Sequence, residues 1–299
     1  MFAFAEATWR LRTQTVDTRD HTLIMGVVNV TPDSFSDGGS FPAADGVGSI
    51  DHDAAIEHGR RLVGDGADII DVGGESTRPG AEAVDVAEEL HRVVPVVEVL
   101  AAEGIIVSVD TSKAEVAEAA LLAGAEIVND VTGLRDPAMV EVCAALGPGV
   151  VIMHMCGDPR SMQDAPHYDD VVDEVRDYLV TQGDAAIAVG IDPARLCLDP
   201  GIGFGKTVSH NLELLAGLGV ITAAGYPVLI GTSRKSFLGV VLGRAGRLTA
   251  PPDRDGASAA TAALAVAAGA SIVRAHNVAA TLESTRIADA IVRSATNVI

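Results

Sequence analysis

The sequence predicts an α/β protein folded as a (β/α)8 TIM barrel, preceded by a short N-terminal strand or hairpin. Short apolar, β-branched runs alternate with longer amphipathic stretches along nearly the whole chain. Repeated βα units demand parallel strands with helices covering them. Runs such as Met25-Gly-Val-Val-Asn-Val30 and Gly149-Val-Val-Ile-Met-His154 are apolar almost throughout, as parallel strands buried on both faces are.

Residues 1–21 form an extension that covers the barrel floor, because Thr8-Trp-Arg-Leu-Arg-Thr-Gln-Thr-Val16 alternates apolar and polar positions. Strands are expected over 22–30, 68–73, 105–110, 126–130, 150–154, 196–199, 228–231 and 272–276. Helices are expected between them over 51–65, 86–103, 113–123, 137–145, 170–189, 209–217 and 258–268, and a last one over 280–293 closes the chain. No Pro/Gly/Ser-rich linker interrupts the series, so residues 22–299 read as a single barrel domain. Eight such units fit a closed barrel better than an open sheet.

Composition narrows the function classes. The 299 residues include 41 acidic and 21 basic ones, for a net charge of −20, and 48% are hydrophobic. That apolar fraction fills a sizeable core, and with only 3% aromatics the core must be aliphatic. The charge repels phosphate backbones and anionic membrane surfaces, which argues against nucleic acid and membranes as partners and leaves a locally basic pocket open. The three cysteines, Cys143, Cys156 and Cys197, are an odd count without metal-ligand spacing, which suits reduced thiols. The start of the chain lacks signal-peptide character, and the uncharged run 256–273 is rich in Ala, Gly, Ser and Thr, a poor membrane span. A cytoplasmic protein is expected. The basic residues are almost all arginine; only Lys113, Lys206 and Lys235 are lysines, so the position of each is informative.

Barrel enzymes keep their chemistry at the C-terminal ends of the strands. The polar residues placed there are Asn29, Asp71, Glu75, Asp110, Asn129, Asp130, His154, Asp199, Ser233, Arg234, Lys235, Arg274 and His276. Any one of them alone reads as a helix cap or a satisfied core group. Together on one rim they favour a polar ligand site. The motifs that hold them are Val28-Asn-Val-Thr-Pro-Asp-Ser-Phe-Ser-Asp-Gly-Gly39, Asp71-Val-Gly-Gly-Glu-Ser-Thr-Arg-Pro-Gly80, Ser108-Val-Asp-Thr111, Val128-Asn-Asp-Val131, Met153-His-Met155, Leu198-Asp-Pro-Gly-Ile-Gly-Phe-Gly-Lys206, Gly231-Thr-Ser-Arg-Lys-Ser-Phe237 and Arg274-Ala-His276.

In this order and at these strand ends, the motifs resemble those of the bacterial dihydropteroate synthases, a pterin-binding TIM-barrel family, over about residues 22–293. The first and second loops together with the GTSRKSF motif are specific; LDPG alone is not. The resemblance implies a transferase of folate biosynthesis. It joins 4-aminobenzoate to (7,8-dihydropterin-6-yl)methyl diphosphate, giving 7,8-dihydropteroate and pyrophosphate. It also implies a homodimer, a target for sulfonamides and a Mg2+ cofactor. By that likeness the catalytic residues are Lys235, Asp110, Arg274 and His276. Pterin falls to Asp110, Asn129, Met153, Asp199, Phe204 and Lys235, and the diphosphate to Asn29, Arg274 and His276, with Asn29 on the metal. Aminobenzoate falls to Phe35, Thr77, Arg78, Pro79, Phe204 and Ser236, and Asp37 belongs to the first loop.

The residue types suit these tasks. A pterin ring presents an amino group and a ring N–H side by side, and a carboxylate such as Asp199 accepts both at once. Asn129 complements ring donors and acceptors, and Asp110 reaches the ring's other side and stabilises a cationic methylene. Arg274 and His276 lie two apart on the last expected strand, so both are expected on one side, facing a phosphate group. An arylamine has its own lone pair, so a dissociative displacement needs no general base. The two glycine-bearing loops are expected to close over the substrate and exclude water. Lys206 has even claims to a structural or a functional place, and Lys113 reads as structural. Cys156 departs from the family pattern, which often has Gln or Lys there. The rival readings are a non-catalytic pterin-binding paralogue and a methyltetrahydrofolate-dependent methyltransferase. The latter shares Asp110, Asn129 and Asp199 but has no need of Lys235, Arg274, His276 or the first loop.

Overall fold

The computed structural model describes residues 8–31, 51–76, 83–157, 162–243 and 249–296. Two short antiparallel strands come first, β1 (Thr8–Arg10) and β2 (Thr15–Asp17). The barrel strands are β3 (Leu23–Asn29), β4 (Ile69–Gly73), β5 (Ile106–Asp110), β6 (Ile127–Asp130), β7 (Gly149–Met153), β8 (Leu196–Asp199), β9 (Leu229–Ile230) and β10 (Ile272–Ala275). All pair in parallel, in the order β8-β7-β6-β5-β4-β3-β10-β9. A parallel bridge between Leu198 and Val228 joins the last strand to the first and closes the barrel. At this seam Leu198 N donates to Pro227 O at 2.9 Å. The sequence predicts a strand over 228–231; the observed β9 has two residues, because Gly231 already belongs to the loop.

The helices are α1 (His52–Gly64), α2 (Val86–Ala102), α3 (Ala114–Leu122), α4 (Pro137–Leu146), α5 (Val171–Ala188), α6 (Val208–Ala216), α7 (Leu218–Thr222), α8 (Ser236–Leu242), α9 (Asp255–Ala267) and α10 (Val278–Thr296). Acidic side chains start many of them. Asp51, Asp85, Asp136 and Asp170 each accept a backbone N–H of the first turn, as good N-caps do. The short α7 and α8 have no counterpart in the sequence reading, and α9 begins at Asp255 where 258 is expected. Pro251 and Pro252 explain the last difference. They lead into a 3-10 turn, Pro252–Arg254, that runs directly into the helix.

Two apolar layers follow from the alternation of the strands. Ile24, Val28, Ile70, Val72, Val107, Val109 and Val128 face outward into the large aliphatic core beneath the helices. Met25, Ile69, Ile127, Val151, Cys197, Leu229 and Ile272 face inward and form a separate cluster with Trp9 and Leu11 of the N-terminal hairpin. Trp9 is fully buried, and its indole Nε1 donates to Arg195 O at 2.7 Å. Arg195 in turn donates to Leu11 O at 2.6 Å. The hairpin therefore plugs the N-terminal mouth, and polar chemistry is left to the opposite end.

Candidate active site

Two residues beyond the apolar floor, four of the inward positions become polar. Ile69 is followed by Asp71, Ile127 by Asn129, Cys197 by Asp199 and Ile272 by Arg274. Strand register sets these side by side: Asp71 beside Ser108, Asp110 beside Asn129, Met153 beside Asp199. Asn29 is level with Gly73, and Gly73 with Asp110, so Asn29 belongs to the layer above.

Arg274 organises the centre. Its Nε donates to Asp71 Oδ2 at 2.6 Å, and its second terminal nitrogen to Asp110 Oδ2 at 2.7 Å. Asn129 Nδ2 donates to the same Asp71 oxygen at 3.1 Å. Asp71 Oδ1 and Ser108 Oγ are buried and have no hydrogen-bond partner among the described residues. A native interior rarely leaves such groups unmatched, so these point to a polar ligand or water in the cavity above them.

Burial pushes the Asp110 carboxyl up to about 7, against the pull of Arg274 and with added repulsion from Asp71, Glu89 and Asp130. Burial also raises Asp199, opposed by Lys235. The lysines move the other way. Burial lowers Lys235 to about 8 although Asp199 favours its charge, and lowers Lys206 to about 7. Asp110 and the two amines thus titrate near neutrality. Such groups gather where chemistry is done.

The loop after β8 fixes Asp199 and Phe204. Asp199 Oδ1 accepts from Gly201 N at 2.7 Å, an Asx turn that leaves the second oxygen available. Gly201 has φ +65°, and a Cβ there would lie 1.9 Å from His154 O, so only glycine fits. Lys235 Nζ donates to Ile202 O and sits 4.6 Å from the centre of the Phe204 ring, a cation–π contact. Behind them Lys206, 3% exposed, meets His154 Nδ1 at 2.8 Å and donates to Phe204 O at 3.0 Å. Lys206 braces this loop from below. Burial, Lys206 and Arg135 together lower His154 to about 3, so it meets the lysine as a neutral ring.

Strand register and direct contacts gather Asp110, Asn129, Met153, Asp199, Phe204, Lys235 and Arg274 at the C-terminal end of the barrel, with Asn29 one layer above. Arg274 and His276, expected to share a face, take different partners. β10 ends at Ala275, so strand alternation stops short of His276. The Nδ1 of His276 faces Ser233 Oγ at 3.0 Å, beside the loop after β9, while Arg274 turns to Asp71 and Asp110. Ser236 is exposed as the first residue of α8. Phe35, Asp37, Thr77, Arg78 and Pro79 lie outside the described residues. Lys113 takes a supporting place, donating to Glu75 and Glu89 beyond the rim. Asp71 is the site residue that the sequence reading leaves without a task. It appears there as a rim carboxylate, but only the register with Ser108 and the long reach of Arg274 bring it to the centre.

Comparison with known proteins adds to this geometry. The family described as "Pterin binding enzyme" matches residues 25–276. The dihydropteroate synthase of Mycobacterium leprae is 48% identical over 270 residues, covering 89% of this chain and 92% of the relative. Among solved structures, Xanthomonas albilineans dihydropteroate synthase with 4-aminobenzoic acid superposes with a TM-score of 0.85 at 46% identity, covering 95% of this chain and 98% of the other. The same enzyme in complex with 7,8-dihydropteroate gives 0.82 at 43% identity, again over 95% and 98% of the two chains.

Proposed function

The chain belongs to the pterin-binding enzyme family, and we propose that it acts as a dihydropteroate synthase. It condenses 4-aminobenzoate with (7,8-dihydropterin-6-yl)methyl diphosphate and releases pyrophosphate. The observation that supports this best is the polar layer that Asp71, Ser108, Asp110, Asn129 and Asp199 form on inward strand positions above the apolar floor, with Lys235 and Arg274 beside them. That set suits a flat heterocycle with donors and acceptors on its edge and a charged tail.

In this reading the free oxygen of Asp199 accepts the ring amino group and adjacent N–H, and Asn129 complements the neighbouring positions. Met153 packs against the ring face. Asp110, held by Arg274, lies where the methylene becomes positive as its C–O bond breaks, and an ionised carboxylate stabilises that charge. The bonding electrons leave with pyrophosphate. The aminobenzoate nitrogen then forms the C–N bond with its lone pair and gives its proton to solvent. Lys235 stands next to Asp199 and Phe204, close enough to serve pterin and diphosphate together. Arg274, within β10, and His276, just past its end, approach the diphosphate from the same strand, and Phe204, Ser236, Phe35, Thr77, Arg78 and Pro79 receive the aminobenzoate.

The residues present fit a Mg2+ that arrives with the diphosphate. Asn29 carries a hard amide oxygen at the rim, and among the described residues no group of three His, Cys, Asp or Glu side chains forms a cation site of its own. Asn29 would hold that ion, which when bound neutralises charge on the leaving group.

Exposed apolar residues support the homodimer. Leu264 on α9 is 69% exposed, and Ile287 and Ile291, one turn apart on the adjoining α10, are 65% and 63% exposed. The unpaired thiols Cys143, Cys156 and Cys197 suit the reducing cytoplasm. Among the described residues no helix is long and apolar enough to cross a membrane.

The deciding experiment is turnover of the purified protein. Pyrophosphate release must require both substrates, yield dihydropteroate, and be inhibited by a sulfonamide in competition with 4-aminobenzoate. Binding of the pterin diphosphate without release would reduce the protein to a non-catalytic pterin binder. Inhibition that excess 4-aminobenzoate does not relieve would reject the aminobenzoate pocket.

A further inference from the structure

Lys235 and His276 stand on different loops, after β9 and after β10, and a third element ties the two together. Asp255, the first residue of α9, accepts from Arg234 through both carboxylate oxygens, at 2.7 and 2.9 Å. The second of those oxygens also accepts from Asn277 Nδ2 at 2.8 Å. Arg234 immediately precedes Lys235, and Asn277 immediately follows His276.

The loop around Arg234 needs such a hold. Arg234 has φ +59°, the left-handed region that a bulky side chain adopts only under constraint. Its N–H donates to Ser258 Oγ at 3.0 Å, and its carbonyl accepts from the largely buried Arg254 at 2.7 Å. Thr232, three residues before Lys235, meets Thr261 hydroxyl to hydroxyl at 2.7 Å. The start of α9 and the turn before it therefore grip the β9 loop at four points, and Asp255 reaches the β10 loop as well. The Arg234 guanidinium holds the Asp255 carboxyl below the usual range, so the bridge is ionic at neutral pH.

We propose that Asp255 is a positioning residue for the reaction: its one carboxylate, shared by Arg234 and Asn277, sets Lys235 and His276 at a fixed spacing to receive the diphosphate end of the substrate. The inference rests on the synthase reading for the identity of that substrate. Asp255 touches no substrate itself and acts only through the two loops.

The experiment measures the Kd of dihydropterin diphosphate by calorimetry, without 4-aminobenzoate so that no turnover intervenes. Wild type, Asp255→Asn, Lys235→Ala and the double variant are compared, with thermal unfolding of each. Asp255→Asn keeps the side chain's shape and removes the charge that Arg234 needs. It is expected to weaken binding by about tenfold in the wild-type background and by less than about threefold once Lys235 is gone, because coupled residues are non-additive. Asp255→Glu is expected to recover part of the affinity. Equal losses in both backgrounds, or Asp255→Asn binding within twofold of wild type, would overturn the proposal. A loss of affinity that merely follows a lowered melting temperature, without rescue by Glu, would overturn it too. Failure of the synthase reading looks different: wild type would bind the pterin diphosphate yet release no pyrophosphate when 4-aminobenzoate is added.

Discussion

Burial works against the charge of both Asp110 and Lys235, and this gives the site its pH dependence. In the proposed reaction Asp110 acts ionised, stabilising the forming cation, and its charged fraction grows as pH rises through about 7. Lys235 acts there protonated, attracting the diphosphate, and its charge is lost as pH rises through about 8. The expected kcat/KM for the dihydropterin diphosphate therefore rises and then falls, with a narrow optimum between the two limbs. Asp110→Asn should remove the acid limb, and Lys235→Arg the alkaline limb, because arginine does not titrate in this range. Lys235→Ala should lower turnover by about tenfold or more, in line with losing one charge-stabilising group. Near-normal kinetics in that variant would refute its assigned task. Most of these residues are legible in the sequence, since each ends a β-branched run and carries a polar or charged group. Asp71 is legible as a rim residue but not as the central partner of Arg274. Those two are 203 positions apart in the chain and meet only because β4 and β10 both flank β3.

At the scale of elements, the N-terminal hairpin and the start of α9 show what local signals convey and what they leave out. Alternation in Thr8–Val16 predicts a strand or hairpin, and β1 and β2 form one. The fully buried Trp9 sits against the inward residues of the barrel and bonds to Arg195. Trp9→Ala should destabilise the fold by about 3–5 kcal/mol, since it opens a large cavity and strands a buried carbonyl. A urea melt checks this; a midpoint equal to that of wild type would mean that the hairpin contributes nothing to the barrel. The start of α9 is harder to read. Periodicity alone begins the helix at Ser258, whereas Asp255 already lies within it, because the Pro252–Arg254 turn runs directly into the helix. Those three residues matter here, because Asp255 carries the bridge between two loops.

For the whole molecule, the exposed Leu264, Ile287 and Ile291 lead to an association test. Leu264→Asp combined with Ile287→Asp should convert a sedimenting dimer into monomer while the far-ultraviolet spectrum stays unchanged. A wild type that already sediments as monomer would remove the dimer proposal. The net charge of −20 is partly explained by placement. Several aspartates cap helices, and Asp71, Asp110 and Asp199 line the site, so the acidic excess coexists with a pocket that gathers Lys235 and Arg274. By itself, the sequence determined the barrel, the order of its units, the end that carries the chemistry and most of the residues there, because strand runs, helix caps and motif loops are local patterns. Tertiary structure alone decided which of those residues touch. Barrel closure sets β10 beside β3 and one strand from β4, so Arg274 pairs with Asp71 and Asp110. The end of β10 at Ala275 turns His276 to Ser233, and the packing of α9 lets one aspartate join two loops. Contacts between strands far apart in the chain depend on register and closure, and no local pattern contains either.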